Sequence, residues 1–311
     1  MYVSPGHPKA KKKRNWKAIL KKNAFGWAIM IPTLLLFGFF VWVPLGKNIV
    51  MSFFSDANFT TFVGTRNYEL LFKMDVFLAS LGNTFKYILW SLLIGYLVPI
   101  LLGFLLSEVV HAKGFFRVCL YLPCMISGIA VVFLFRNLYG DEPYSILNVI
   151  LGLFGLPAQS WAGNVDLIIP LIVLAMTWRG AGSTALIYLS SFQQIDNSMY
   201  EAARIDGAGA WERFWRITIP SIKSTMLTLL ILQIISVFQV FYEPMVIGQW
   251  GGPVNSSMSL MLLSYKLAFA DFNYPVSAAC CVVLALIILA FTLIYQGVVK
   301  ILDRVSGGAK A

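Results

Sequence analysis

Charge is what this sequence most lacks. Only 12% of its 311 residues are Asp, Glu, Lys or Arg, about half the share carried by a soluble domain of this size. Cysteine is scarce too: Cys119, Cys124, Cys280 and Cys281 sit in apolar runs with neither disulfide nor zinc spacing, and read as small buried hydrophobes. The two histidines, His7 and His111, lie far apart in polar ends, which argues against a metal site. The chain has no Gly-x-x-x-x-Gly-Lys-[Ser/Thr] phosphate loop, no Gly-x-Ser-x-Gly elbow and no His/Cys cluster. It therefore lacks ATPase or hydrolase machinery of its own, no cofactor is expected in it, and a membrane-embedded enzyme is disfavoured.

What the sequence has instead is apolar length. A hydrophobic share of 59% and a mean hydropathy of +0.76 describe a multi-spanning membrane protein. The net charge of +10 is then explained by Lys and Arg held on the cytoplasmic side, without nucleic acid as a partner. The predicted fold class is all-α, with six transmembrane helices at about 24–46, 83–107, 117–138, 165–190, 222–247 and 275–299. The first run is too long for a signal-peptide core and lacks a small-x-small cleavage site, so it reads as an uncleaved span. Pro123 and Gly128 fall in the third, where proline is tolerated if neighbours satisfy the freed carbonyl.

Three divisions follow: a basic tail at 1–23 drawn to the lipid bilayer, a membrane domain at 24–300, and a tail at 301–311. Residues 47–82 should form a small outer cap, and 248–274 a second outer segment rich in Gly, Pro, Asn and Ser. The amphipathic piece Ser145–Leu156 is too short to cross the hydrocarbon and should be interfacial or re-entrant. Placing both termini in the cytoplasm puts seventeen basic residues inside. Six fall outside (Lys47, Arg66, Lys73, Lys86, Arg136 and Lys266), and Arg179 stands alone within a span. The same orientation makes the polar interval 191–221 cytoplasmic.

That interval reads as a helix, a turn and a returning helix. Ala202 and Ala203 favour helix and keep one face thin, so another protein can approach closely. Asp206-Gly207 is a helix-stop pair, because glycine accepts the left-handed conformation that ends a helix. Pro220 permits a fresh helix start. Together they predict a protruding knob shaped for a partner's groove.

The pattern Glu201-Ala202-Ala203, three residues, Gly207, nine residues, Ile217-Thr218-Ile219-Pro220 resembles the EAA loop of binding-protein-dependent ABC importer permeases. Ile219 stands where leucine is usual, a volume-conserving change. Asp206-Gly207-Ala208 and the aromatic-rich second half resemble the carbohydrate-uptake branch, the maltose and glycerol-3-phosphate type. The resemblance implies the type I importer transmembrane domain and a coupling surface of Glu201, Ala202, Ala203, Asp206, Gly207 and Ala208. It implies further partners: a second homologous permease, two copies of a nucleotide-binding ATPase subunit that bind ATP and Mg, and an extracytoplasmic solute-binding protein. The implied cargo is a sugar or oligosaccharide, and the place is the cell membrane.

Polar groups within apolar spans are costly and face a partner helix or a water-filled cavity. Beside the loop these are Thr177, Trp178, Arg179, Gly180 and Ser183, then Gln233, Ser236, Gln239 and Tyr242. Gln233, Ser236 and Val240 share a helical face, as do Gly180, Ser183 and Thr184. They supply amides, hydroxyls and rings for a sugar, or else hydrogen bonds between helices. Arg179 either neutralises a carboxylate such as Glu243 or Asp166, binds carbonyls, or meets an anionic solute. The competing class, an ion- or proton-coupled secondary carrier, needs intramembrane acids or repeat-related unwound helices. Here Asp and Glu avoid the span interiors and no internal repeat is evident.

Overall fold

The computed structural model describes the backbone of residues 16–307 and the side chains of residue 24 and residues 26–302. The expected basic tail and nearly all of the C-terminal tail lie outside these side chains. The chain divides into two units, 1–50 and 51–311. The first is helical: Trp16–Phe37 continues through a π turn, Gly38–Trp42, into Val43–Met51. Its apolar stretch, α1 (Gly26–Met51), is long enough to cross a bilayer.

The second unit begins with an antiparallel bridge, Phe54 to Phe62, and α2 (Arg66–Phe72). The spans follow: α3 (Asp75–Glu108), the broken pair α4 (Lys113–Met125) and α5 (Gly128–Leu138), and α7 (Ile168–Phe192) after the short α6 (Ile146–Leu153). The loop holds α8 (Asn197–Ile205) and α9 (Ala210–Arg213), and beyond it stand α10 (Lys223–Phe238), α11 (Tyr242–Val246), α12 (Leu260–Phe269) and α13 (Tyr274–Gly307). Among the described residues, five helices are long and apolar enough to cross a membrane, or six if the bent α4/α5 pair counts as one.

Three expectations need correction. The second span starts at Asp75, because the stretch before residue 83 is helical and buries Phe77 and Ser80; Lys86 thus lies within the helix. The third span, expected as one run at 117–138, starts at Lys113 and is not continuous. It breaks at Ile126–Ser127 and turns by 92°. The segment 248–274 contains α12, a ten-residue helix whose Leu260, Leu262 and Leu263 are buried against α13.

Between lipid-embedded helices, contact is won by close backbone approach, since the surroundings are already apolar. Gly182 is such a point: a Cβ there would overlap the carbonyl of Leu120 on α4. At Gly103, a Cβ would stand 2.9 Å from the Ala185 carbonyl of α7. α3 also pins the segment Gln249–Asn255, whose φ angles are positive at six positions: Gln249, Trp250, Gly251, Gly252, Val254 and Asn255. Asn83 donates to the carbonyls of Asn255 (2.7 Å) and Met258 (3.2 Å), and Tyr87 donates to that of Ser257 at 2.9 Å. α6 is held by buried Asn148. Its amide donates to the Glu142 and Gln159 carbonyls at 3.0 Å and accepts from Trp161 Nε1 at 2.9 Å.

Candidate coupling and translocation site

Asp196 opens the knob. Its carboxylate accepts from the Ser198 amide at 2.9 Å, the hydrogen bond that caps α8 and holds the acid below its ordinary value. The other end of α8 is a left-handed cap: Gly207 has φ +80°, its N–H bonds the Arg204 carbonyl (3.1 Å), and the Ala208 N–H bonds the Ala203 carbonyl (2.9 Å). Nothing lies within 4 Å of a Cβ on Gly207, so glycine is required here by backbone conformation and not by crowding.

The return arm is welded to the bundle. α9 runs through a π segment, Phe214–Thr218, into Ile219–Ser221. A fresh helix therefore does not start at Pro220; it starts at Lys223, after Ile222 leaves helical geometry (φ −96°, ψ 9°). Phe214 is buried against Phe104 of α3 at a ring distance of 4.4 Å, in a cluster with Ile100, Tyr188 and Phe192. The hydroxyls of Tyr200 and Thr218 meet at 2.8 Å and join the two arms. Arg213 is buried; it donates to the Ala208 carbonyl at 2.9 Å and lies 3.6 Å from Glu108.

Glu201, Ala202, Asp206 and Gly207 are exposed, and Ala203 and Ala208 are partly so. Exposed Met199, Ile205, Trp211 and Trp215 surround them with apolar surface. Glu201 borders a cavity of about 400 Å³ shared with Glu108, Lys113, Arg204 and Arg213. Sequence reasoning missed Arg213 and Glu108 as a pair. The signal available was a basic residue embedded among aromatics, Trp211 to Trp215.

The path residues separate into groups. Gln233 donates to Ser91 Oγ at 2.6 Å, and the two converge with Thr177 on Gly95, in the π segment Ser91–Gly95 of α3. Ser183 donates to the Gly180 carbonyl at 2.9 Å, within its own helix. Ser236, Gln239 and Tyr242 are exposed, whereas Val240 is buried in the unwound link between α10 and α11, so Gln233, Ser236 and Val240 do not act as one face. Trp178 is exposed and set edge-on to Phe135 at 5.5 Å. Arg179 lies over Gly128 at the break in the third span. Among the described residues, no ion pair joins it to Glu243 or Asp166. No hydrogen bond among them links residues 178–183 to residues 233–242.

Comparison with known proteins bears on this arrangement. The chain is 33% identical over 292 residues to the arabinooligosaccharides transport system permease protein of Bacillus subtilis, covering 92% of each chain. It is 31% identical to the lactose transport system permease protein of Rhizobium radiobacter, over 87% of this chain and 93% of that one. A solved bacterial ABC transporter involved in the import of the acidic polysaccharide alginate shares the fold, with a TM-score of 0.82 at 24% identity, covering 93% of this chain and 99% of that one. The family profile described as binding-protein-dependent transport system inner membrane component matches residues 91–305. An exposed, glycine-capped knob welded to a helical membrane bundle is thus accounted for by descent: the chain belongs to the inner membrane components of binding-protein-dependent transport systems.

Proposed function

We propose that this permease subunit, with a second homologous permease, forms the path for a sugar or oligosaccharide handed over by an extracytoplasmic binding protein. Two ATPase subunits drive it, gripping the surface made by Glu201, Ala202, Ala203, Asp206, Gly207 and Ala208. The observation that carries the reading is the left-handed cap at Gly207 beside an exposed Glu-Ala-Ala helix face, on a knob fixed by Phe214 and Arg213 to α3. A rigid knob in a groove turns displacement at the ATPase into movement of the spans. The charge distribution supports both termini in the cytoplasm, with tails at 1–23 and 301–311 flanking the membrane domain. Relatives named for arabino-oligosaccharides and lactose support a saccharide cargo.

The test is reconstitution of the four-subunit complex in liposomes with its binding protein. Arabino-oligosaccharides and lactose serve as probes. Uptake that requires ATP and survives a protonophore is expected, together with crosslinking of a cysteine at Ala203 to the ATPase. Uptake abolished by the protonophore and indifferent to ATP would overturn the reading in favour of a secondary carrier.

A further inference from the structure

Arg179 lies within a span and has no salt-bridge partner among the described residues. Its Nε is buried with no hydrogen-bond partner, and among the described residues no carboxylate lies within 4 Å of it. Glu243 reaches it only through the longer-range field. Charged groups at such depth ordinarily pair or mark a solute pathway.

Beside the guanidinium lies the start of a helix, a second positive feature. Its Cζ and one terminal nitrogen stand 3.3 Å from where a Cβ on Gly128 would lie. Gly128 is the first residue of α5, an eleven-residue helix whose N-cap residue, Ser127, makes no side-chain cap. The first backbone bond of that helix is from Val131 to the Ser127 carbonyl, so the amides of Gly128, Ile129 and Ala130 have no partner among the described residues. A helix start carries about half a positive charge, and here it sits beside a full one. Exposed Trp178, held edge-on by Phe135, adds an aromatic platform next to the pair.

We propose that Arg179 and the restart of the third span at Gly128 form a subsite for the carboxylate of an acidic saccharide, a uronate, on the translocation path. This rests on the sugar-importer reading and specifies its substrate class. The guanidinium's planar fork matches a carboxylate in two parallel bonds. A carboxylate leaves about half a positive charge unmatched and a phosphate dianion about half a negative one, and Glu243, whose field reaches Arg179, opposes the second.

The test uses the assembled complex with its binding protein in ATP-loaded liposomes, and two probes: trigalacturonate and its carboxyl-reduced trigalactoside. Wild type should favour trigalacturonate. Arg179→Gln should lower the ratio of kcat/KM between the two probes by about ten-fold or more, mainly through KM, and Arg179→Lys should fall between. An unchanged ratio in Arg179→Gln overturns the subsite. If Arg179→Gln fails to assemble while Arg179→Lys keeps the wild-type ratio, Arg179 belongs to a subunit contact and the subsite is again overturned. Uptake of the neutral probe alone overturns the subsite but leaves the importer standing. ATP-dependent uptake of neither these probes nor lactose and arabino-oligosaccharides removes the importer reading itself.

Discussion

The guanidinium of Arg213 lies 3.6 Å from the carboxylate of Glu108, joining the return arm of the knob to the end of α3. The same guanidinium donates to the Ala208 carbonyl, the residue just past the glycine cap, so one side chain spans both parts. Glu108 is 43% exposed, and the ion pair alone contributes little to stability. Its value is positional. Arg213→Gln should uncouple the complex: ATP hydrolysis persists, its stimulation by loaded binding protein falls, and solute moved per ATP drops several-fold. The exchange Glu108→Arg with Arg213→Glu should recover part of the coupling. Measuring uptake and hydrolysis on the same vesicles decides it; a proportional loss of both would reduce Arg213 to packing.

Gly207→Ala should weaken the knob, because a Cβ at φ +80° costs about 1 kcal/mol. There is open space around it, so the cost comes from the backbone and not from collision. Asn tolerates this conformation better than other residues with side chains. Gly207→Asn should therefore retain more ATPase binding than Gly207→Ala, as read by copurification of the ATPase subunit. Equal losses in both variants would point to a partner surface that tolerates no side chain at all.

Gly182→Ala tests the packing of the broken third span on α7. The added methyl would overlap the Leu120 carbonyl and force the helices apart, at a cost of about 1–3 kcal/mol. The thermal midpoint of the purified complex should fall, while an alanine at Gly180, where nothing lies within 4 Å of a Cβ, should leave it almost unchanged. Similar midpoints for the two variants would contradict the close contact.

Much of this architecture was legible in the residues. Six apolar stretches announced the spans through hydropathy, and Gly207 announced its own cap because few other residues adopt that conformation. The misread features share a cause, which is that tertiary contacts decided them. Pro123 signalled an irregularity, but whether the helix resumes straight or at 92° depends on what α5 packs against. α12 hid in a stretch rich in Gly, Pro and Ser, and it is a helix buried on α13. The coupling set was readable because its spacing is local. Arg213 meets Glu108, and Gln233 meets Ser91, across long separations that no local pattern encodes.

The anchoring of Gln249–Asn255 by α3 has a consequence for biogenesis. Asn83 and Tyr87 are synthesised early, yet the carbonyls that receive them, at Asn255, Met258 and Ser257, come 172, 175 and 170 residues later in the chain. Until those carbonyls exist, neither side chain can make the bonds it makes in the finished fold, and a buried donor left without a partner is costly. A polypeptide cut short before residue 255 would lack all three acceptors, so the N-terminal half of this fold cannot complete its own polar pairing without the C-terminal half.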